Sequence, residues 1–396
     1  MKRIFFLMIT AIGFNAIAQE QPDTLTPVEV KATRANATAP FAKTNLSRKE
    51  IERQNLGQDL PFILNQTPSV VVNSDAGNGV GYTGIRIRGT DATRINMTLN
   101  GIPYNDAESQ GIFFVNLPDF ASSVSSIQVQ RGVGTSTNGA GAFGATLNLS
   151  TNEVISVPYA EINNSYGSFD TWKNTFKAGT GLMGDHFTTD IRLSRITSKG
   201  YIDRASSNLG AFYLSSAYLS DKTDLRFNIF SGKEKTYQAW YGVSEADLQN
   251  NRTINYAGME KPGDPYNNET DNYNQDHYQL FFTQRFSPHL VFTNSLFLVK
   301  GKGFYEQYKA DEEYASYGLS PRTIGSEQVT NSDLVRQLWL DNDYYGDVFS
   351  LQYQKNFTRI NFGGAVTNYS GKHVGEVIWA EHGMDEPTHR WYDHPV

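Results

Sequence analysis

A cluster of imidazole and carboxylate side chains near the C-terminal end has the residue types that could bind a metal ion. It holds four of the seven histidines in the sequence. Imidazole together with carboxylate suits zinc or iron. No two of these histidines lie four residues apart on a clear helix, so the pattern favours a solvated loop over a metal site. The cluster comprises His373, Glu376, Glu381, His382, Asp385, Glu386, His389, Asp393 and His394.

A glycine-rich run at residues 139–144 fits the dinucleotide-binding pattern G-x-G-x-x-G. That fingerprint needs a strand before it, a helix after it and an acidic residue about 20 positions further on. Here an alternating, strand-like segment follows the glycines. We therefore interpret Gly139, Gly141 and Gly144 as residues that allow close backbone packing in a crowded turn.

No spacing in the sequence suggests a nucleophile with a base and an orienting acid, so neither an enzyme nor a cofactor is predicted. Aromatic residues occur in two long polar stretches and could line a ligand entrance by stacking. They could equally pack among themselves within the loops. These residues are Tyr237, Trp240, Tyr241, Phe304, Tyr305 and Tyr308.

Composition limits the class of protein. The 396 residues suggest two domains, and the chain has 13% aromatic residues but a hydrophilic mean hydropathy of -0.46. Past the N-terminus no apolar run is long enough for a spanning helix, so any membrane insertion would use strands. A net charge of -7 gives no basic footprint, so nucleic acid is not a predicted partner. The absence of cysteine excludes disulfides and thiolate metal sites.

The N-terminus has the organisation of a secretory signal peptide. Lys2 and Arg3 precede an apolar stretch, and Ala16-Ile17-Ala18 provides an A-x-A cleavage site, so residues 1–18 are predicted to be removed. Residues 19–42 are rich in Thr, Pro and Ala, which predicts a flexible segment. Within it lies a short patch with strand-forming residues, Val28, Glu29, Val30, Lys31 and Ala32.

Residues 43–154 read as a small α+β unit. A capping box at Ser47 and Glu50 predicts a helix toward Gln54, and a second short helix is predicted over residues 59–66. Strands are predicted from residue 70 and at residues 85–88, 95–99 and 126–130, each of the last three followed by a turn rich in Gly, Asn or Asp.

The order of these motifs resembles the plug domain of TonB-dependent outer-membrane receptors. The residues that carry the resemblance are Arg86, Arg88, Gly89, Asn100, Gly101, Arg131, Gly132, Gly139, Gly141 and Gly144. The resemblance implies a mostly β protein with a plug inside an antiparallel transmembrane barrel. It also implies that residues 28–32 act as an energy-coupling box, adding a strand to a periplasmic TonB-type partner. An ordinary disordered linker is the alternative for that segment.

The resemblance also implies a ligand and a location. The default expectation is energy-dependent uptake of a ferric siderophore or other iron complex across the outer membrane. A glycan or peptide importer of the same architecture is the alternative. A passive porin, an adhesin and a periplasmic β-sandwich enzyme are less favoured alternatives. Arginines of such plugs typically meet acids of the barrel wall, for which Asp190 and Asp224 are possible partners.

From residue 155 onward, apolar and polar residues alternate in repeated segments, with short turns and long polar connections in alternation. We count about nine strands, where the family closes with about 22, so the chain is expected to be truncated within its barrel. The domains expected are thus 1–18 signal peptide, 19–42 flexible segment, 43–154 plug and 155–396 partial barrel. The alternation predicts that Arg192 and Arg226 face the interior. The side chains predicted to face lipid are Phe187, Ile191, Leu193, Leu225, Phe227 and Ile229.

Overall fold

The computed structural model of the chain describes residues 24–25, 34–35, 39–134 and 142–396. They form an inner domain, within residues 24–155, and one large antiparallel sheet that begins at residue 159. The predicted signal peptide, the coupling segment at residues 28–32, and Gly139 and Gly141 lie outside the described residues. No helix among the described residues is long and apolar enough to cross a membrane.

The inner domain combines short strands with short helices. Helix α1 begins after Ser47, whose backbone nitrogen and hydroxyl both donate to the Glu50 carboxylate, at 2.7 and 2.6 Å, as the capping box predicted. The helices are α1 (Arg48–Gln54), α2 (Leu60–Ile63) and three 3-10 segments, Ala92–Arg94, Phe114–Asn116 and Phe120–Ser122. The strands are β1 (Thr24–Leu25), β2 (Lys43–Ser47), β3 (Val70–Ser74), β4 (Thr83–Ile87), β5 (Ile95–Leu99), β6 (Ile102–Pro103), β7 (Ser126–Arg131), β8 (Ala145–Ser150) and β9 (Val154–Ile155).

Five of these strands form the central sheet of the inner domain, in the order β2-β7-β8-β5-β6, while β3 pairs with β4 and β1 with β9. The apolar face of the sheet is its core, where Met97, Val129 and Leu147 are fully buried. The opposite face is polar yet also buried. Gln128 illustrates how it is satisfied, because its amide oxygen accepts from the backbone nitrogen of Ala35 at 2.7 Å and its amide nitrogen donates to Asn45.

The glycine-rich run leads directly into strand β8, as the sequence predicted, and no helix follows it. Gly144 packs closely against the segment around Thr90, because a Cβ added at Gly144 would lie 1.8 Å from the hydroxyl oxygen of Thr90. The backbone nitrogen of Gly144 also donates to the carbonyl of Arg94 at 2.8 Å. This position therefore requires glycine for close approach and not for binding a nucleotide.

The large sheet contains ten strands, each antiparallel to its neighbours. Long connections lie at one end, between Tyr237 and Thr270 and between Glu313 and Asn331, while turns such as 220–222 and 356–357 lie at the other. The first connection contains helix α3 (Glu245–Asn250). The second contains a 3-10 segment (Tyr314–Tyr317) and a hairpin of two short strands, Arg322–Ile324 and Glu327–Val329. The strands are β10 (Tyr159–Gly167), β11 (Thr171–Gly179), β12 (Phe187–Ser198), β13 (Ser207–Leu219), β14 (Thr223–Tyr237), β15 (Thr270–Ser287), β16 (Leu290–Glu313), β17 (Arg322–Ile324), β18 (Glu327–Val329), β19 (Asn331–Lys355), β20 (Thr358–Ala380) and β21 (His389–Pro395), of which all but β17 and β18 form the large sheet.

Side chains alternate across the large sheet between a face that contacts the inner domain and an outward face. Arg192 and Arg226 lie on the inner face and are buried, as predicted. The apolar residues predicted for the other face do lie outward, with Phe187 and Leu193 about half exposed at 54% and 48%. Their contact with lipid stays a prediction. The outward face is therefore apolar near the end with the short turns.

The strands are longer than the sequence indicated. Some polar stretches that were expected to be loops are instead parts of strands. Strand β14 continues to Tyr237, and strand β16 continues to Glu313. The largest difference is at the end of the chain, where the expected loop from residue 371 is instead the last part of β20, a connection at residues 381–388 and the tenth strand, β21. Backbone pairing between neighbouring strands continues through polar residues when both faces meet water, and hydrophobic alternation does not mark such segments.

The inner domain depends on the apolar core of its central sheet. Replacing Leu147, which is fully buried, with Ala should destabilise that domain by about 2–5 kcal/mol because it removes packed methyl groups and leaves a cavity. Val71→Ala is the matched control, since Val71 is 62% exposed and its truncation should cost less than about 0.5 kcal/mol. Urea-dependent proteolysis of the purified protein measures both. Equal sensitivity of the two variants would contradict this assignment of the core.

Candidate ligand cavity and the interface of the inner domain

A cavity of about 270 Å³ lies between the inner domain and the large sheet, near the end with the long connections. The inner domain contributes two loops to it, and the sheet contributes residues of strands β14 to β16 and β19 to β21, most of them with inward-facing side chains. The lining residues are Tyr82, Tyr104, Asp106, Phe113, Asn116, Glu234, Asp271, Tyr273, Gln275, Gly303, Phe304, Tyr305, Leu338, Trp339, Leu340, His373 and Tyr392.

Residues 104–113 form one wall of the cavity and are held in place by hydrogen bonds within the loop. The Asn105 side chain accepts from the backbone nitrogen of Met97 and donates to the carbonyl of Ile95, each at 2.8 Å. Asp106 accepts from the backbone nitrogen of Ser109 at 2.6 Å. Tyr104 stacks on His277 of the sheet at 5.8 Å between ring centroids. The loop is therefore fixed both to strand β5 and to the sheet.

Two carboxylates of the sheet meet a tyrosine of the inner domain at the cavity. Glu234 and Asp271 lie on adjacent strands, where Thr236 pairs with Asp271, so they are diagonal neighbours on the inner face. The Tyr82 hydroxyl donates to Asp271 at 2.5 Å and lies 3.4 Å from a carboxylate oxygen of Glu234. Burial, reinforced by these carboxylates, raises the pKa of Tyr82 well above its ordinary value. Tyr82 therefore remains a protonated donor at neutral pH.

A second set of contacts joins the loop at residues 104–113 to strand β20. The Glu108 carboxylate accepts from the hydroxyl of Tyr369 at 2.9 Å and lies 2.8 Å from the imidazole of His373. His373 also lines the cavity. The inner domain is thus tied to the sheet on both sides of the cavity, through Tyr82 on one side and Glu108 on the other.

The six aromatic residues proposed as a ligand entrance are distributed unequally. Tyr305 lines the cavity, and the Trp240 ring meets the Tyr82 and Tyr305 rings edge-on at 5.7 and 5.9 Å. Phe304 borders the cavity, but its ring packs against Trp339 on the outward face. The other three have hydrogen-bond partners elsewhere: Tyr237 donates to the carbonyl of Tyr266, Tyr241 accepts from the Gln307 side chain, and Tyr308 donates to Asp333. Their role in ligand binding stays a prediction.

The histidine and carboxylate cluster near the C-terminus does not converge on one point. Its carboxylates pair with basic residues, as in Glu376 with Arg390 at 2.8 Å and Asp385 with Arg322 at 2.6 Å. His389 lies 2.8 Å from the carbonyl of Tyr317. In the part of the chain that the structure describes, no three His, Asp or Glu side chains are placed to hold a metal ion. The prediction that this stretch is a loop is wrong for His373, Glu376, His389, Asp393 and His394, which lie in strands.

The strongest electrostatic contact between the inner domain and the sheet centres on Asp119. Its carboxylate lies 2.8 Å from the ammonium of Lys173 and accepts from the hydroxyls of Thr175 and Ser194 at 2.6 and 2.7 Å. Arg192 donates to the backbone carbonyl of the same residue. Asp119, Lys173 and Arg192 are each at least 94% buried. One carboxylate of the inner domain is therefore enclosed by two cations of the sheet.

These cations change the acidity of Asp119. Burial opposes ionisation, but the charges of Arg192 and Lys173 and the hydrogen bonds outweigh it and lower the pKa of Asp119 to about 2. The carboxylate is thus ionised throughout the physiological range. Around it, Phe120 packs against Tyr213 and Phe230 of the sheet, so the ion pair lies in an apolar setting.

The expected pairing of arginines of the inner domain with acids of the sheet does not occur at the proposed residues. Asp224 pairs with Arg285 of the sheet at 2.5 Å, and Asp190 accepts from the hydroxyl of Tyr159. Arg86 and Arg88 are exposed, and Arg131 donates to the carbonyl of Pro68 at 3.3 Å. The charges at the interface have the opposite arrangement, with the acid in the inner domain and the cations in the sheet.

The Asn100-Gly101 turn connects strands β5 and β6, and both residues adopt positive φ, 56° and 86°. Asparagine and glycine tolerate this region. The Asn100 side chain also accepts from the backbone nitrogen of Thr151 at 2.8 Å, joining the turn to the end of β8. Gly89 and Gly132 adopt positive φ as well. The described glycines and Asn100 thus lie in turns at the ends of strands, while Arg86 and Arg131 lie within strands β4 and β7, and any further role stays a prediction.

Sequence reasoning missed Tyr82, Asp119, Glu234 and Asp271. Glu234 and Asp271 both lay in residues 232–274, which were expected to be a long polar connection. Strand β14 in fact continues to Tyr237, and Glu234 has the same parity as Arg226 along it and so faces inward. Asp119 and Tyr82 lie in irregular segments, where no periodicity indicates the direction of a side chain.

Comparison with known proteins identifies the inner domain. The family described as the TonB-dependent receptor plug domain matches residues 35–146. The chain contains a TonB-dependent receptor plug domain. No curated protein matches the chain.

Solved receptor structures share the fold of both parts. BauA, the ferric preacinetobactin receptor of Acinetobacter baumannii, matches with a TM-score of 0.60 at 16% identity over 90% of this chain and 51% of its own. The pyoverdine receptor FpvA of Pseudomonas aeruginosa matches with a TM-score of 0.58 at 13% identity, over 88% and 50%. The copper transporter OprC gives 0.60 at 13%, over 87% and 48%. The chain therefore spans about half the length of these proteins, and its large sheet corresponds to part of a barrel wall.

The pair of cations around Asp119 should make the docking of the plug on the wall depend on charge. Asp119→Asn would leave Lys173 and Arg192 buried without a counter-ion and should destabilise the docked plug by about 3–5 kcal/mol. Glu153→Gln is the control, because its pair with Arg48 at 2.7 Å is partly exposed and should contribute less than about 1 kcal/mol. Urea-dependent protection of the plug against protease measures both variants.

The Asp119 carboxylate also predicts that the stability of the docked plug depends on pH. Because the pKa of Asp119 is lowered to about 2 from 3.8, its stabilisation is present above about pH 4 and is lost as the pH falls toward 2. The protease protection of the wild-type plug should decrease over that interval, and the decrease should be smaller in Asp119→Asn. Identical pH profiles for the two proteins would contradict this role.

Proposed function

We propose that the protein is an outer-membrane receptor for the energy-dependent uptake of a scarce ligand, with a ferric siderophore or other iron complex as the default. The observation that carries this is a plug domain seated on the inner face of barrel strands, with a cavity between the two at the end with the long connections. A ligand held there touches both parts at once. Its binding can thus be coupled to a change in the plug.

The names of the similar structures support the class of ligand. They are described as receptors for ferric preacinetobactin and pyoverdine, and one as a copper transporter. All of these cargoes are metals or metal complexes. We extend that class to this protein on the shared fold and on the location of the cavity. On the same basis we assign residues 43–154 to the plug and 155–396 to the barrel.

In the proposed mechanism, a periplasmic TonB-type protein binds residues 28–32 and pulls on the plug. The residues that follow lead directly onto the central sheet, where Arg34 donates to the carbonyls of Ser126 and Asn148 at 3.2 Å. A pull on the N-terminus is therefore transmitted first to strands β7 and β8. The contact of Asp119 with Lys173 and Arg192 resists displacement of the plug until the ligand and the partner are both engaged.

The coupling role of residues 28–32 is tested by removing one backbone donor. Val28→Pro should abolish ligand uptake and leave surface binding unchanged, because proline cannot donate to a partner strand. Val28→Ile is the matched control, since it keeps both the amide and the β-branched side chain. The assay compares accumulation of radiolabelled iron from a panel of ferric siderophores in cells that express each form and in cells that lack the protein. Normal uptake by the proline variant would rule out the coupling assignment.

Insertion into a membrane is tested on the outward face of β12. Leu193→Arg would place a charge in the apolar region and should cost about 2–4 kcal/mol of assembly free energy if that region meets lipid near its midplane. Asn174→Arg is the control, because Asn174 lies outward on β11 opposite Arg195, where the face is already polar. The amount of each variant in isolated outer membranes is the readout. Ser194→Arg is unsuitable as a mild control, because Ser194 donates to Asp119.

Equal recovery of Leu193→Arg and Asn174→Arg from outer membranes would be incompatible with a lipid-facing sheet. Loss of both variants would indicate general sensitivity of this edge of the sheet to arginine. Only selective loss of Leu193→Arg supports the proposed location.

A further inference from the structure

The cavity between plug and wall is acidic and aromatic. Three of its lining residues are carboxylic acids, Asp106, Glu234 and Asp271. Within the described part of the chain, its lining includes neither lysine nor arginine. Six of the lining residues are aromatic side chains of the inner domain or of the inward face of the sheet, namely Tyr82, Tyr104, Phe113, Tyr273, Tyr305 and Tyr392. A site of this composition repels anions and has rings available for stacking.

The two wall carboxylates differ from Asp119 in how their charge is balanced. Asp119 has two cations of the chain beside it, whereas in residues 39–134 and 142–396 no lysine or arginine forms an ion pair with Glu234 or Asp271. Glu234 is only 2% exposed, and its polar contacts are the hydroxyls of Tyr82 and Thr236. Burying a carboxylate without a cation is unfavourable. In the empty cavity such a carboxylate is relieved by taking up a proton, whereas a cation from outside the chain would take the place of that proton and hold the carboxylates ionised.

The remaining groups of the cavity suit the same kind of ligand. Aromatic faces attract cations, and Tyr82, Tyr305 and Trp240 bring three rings together beside Asp271. Asn116 lines the cavity and is 7% exposed, and its side-chain oxygen has no hydrogen-bond partner among the described residues. A buried acceptor without a partner requires a donor. Protonated amines carry donors and positive charge together.

We propose that this cavity binds a positively charged nitrogen group of the transported ligand, with Glu234 and Asp271 as its counter-ions. Tyr82 holds Asp271 in place through its hydroxyl, Tyr305 contacts the cation, and Trp240 supports the Tyr82 and Tyr305 rings from behind. The inference rests on the proposed uptake function and specifies its substrate class. Within iron complexes, it selects a neutral ferric trihydroxamate core that carries a free ammonium group, and it disfavours tris-catecholate complexes, whose net charge is strongly negative.

The experiment measures binding of charge-matched probes to the purified protein in detergent micelles. The probes are a linear ferric trihydroxamate with one free ammonium group, its N-acetylated derivative, and a ferric tris-catecholate. Quenching of tryptophan fluorescence reports binding, because the Trp240 ring contacts the rings of Tyr82 and Tyr305, which line the cavity. The ammonium form should bind at least about tenfold more tightly than the acetylated form, and the catecholate should not compete with it.

Variants locate the charge preference. Asp271→Asn keeps an acceptor for Tyr82 but removes the charge, and the double variant with Glu234→Gln removes both charges. Each should reduce the preference for the ammonium probe, and the double variant should abolish it. The matched control is Asp341→Asn with Asp343→Asn, which removes two carboxylates that pair with Lys302 and Lys300 on exposed side chains. The control should retain the wild-type preference.

Three results would overturn the proposal. These are equal or tighter binding of the acetylated or catecholate probe, an unchanged preference in the double variant, and failure of the ammonium probe to bind at millimolar concentration. The comparison of probes in the wild-type protein does not require any variant to fold. Binding is also independent of uptake. A charge preference without energy-dependent uptake would contradict the proposed function alone, and uptake of anionic complexes with no such preference would contradict this inference alone.

Discussion

The contact of Asp119 with Lys173 and Arg192 is the constraint on which the arrangement of the two parts depends. A buried carboxylate is tolerated only with cations beside it, and here the cations belong to a different part of the chain. The plug therefore has one electrostatically favoured position on the wall. Apolar contacts around Phe120, Tyr213 and Phe230 reinforce that position but have less directional specificity. The orientation that places Tyr82 beside Asp271 follows from the same docking.

Much of the fold could be predicted from the sequence where the signal was local. The capping box at Ser47, the strands around Ile95 and Ser126, and the inward direction of Arg192 all follow from short-range patterns. The polar ends of the strands could not be predicted this way. At Gly371 and beyond, strand β20 continues because its neighbour β19 continues, and that information lies in pairing with a distant segment.

The candidate site was harder to predict because its parts are far apart in sequence. Tyr82 and Asp271 are separated by 189 residues, yet their side chains are in contact at 2.5 Å. Arginines of the plug were the expected partners of acids in the wall, but Arg86 and Arg88 are exposed and form no such contact among the described residues. The interface instead uses one aspartate in an irregular segment after Pro118, with no motif around it. Which charges meet at the interface depends on how the plug docks on the wall. The sequence of either part alone does not show this.

Strand β2 lies at the edge of the central plug sheet and pairs only with β7 within it. On the proposed function, a pull first loads the contacts of Arg34 with strands β7 and β8, and once these break it reaches strand β2 at its N-terminal end, Lys43. When an edge strand is pulled from its end, its hydrogen bonds to the neighbouring strand break one after another. Each hydrogen bond contributes only about 0.5–1.5 kcal/mol to stability. Such unzipping requires less force than simultaneous shearing of the whole ladder. The plug would then yield by partial unravelling at its weakest margin while its apolar core, formed by β5, β7 and β8, stays intact.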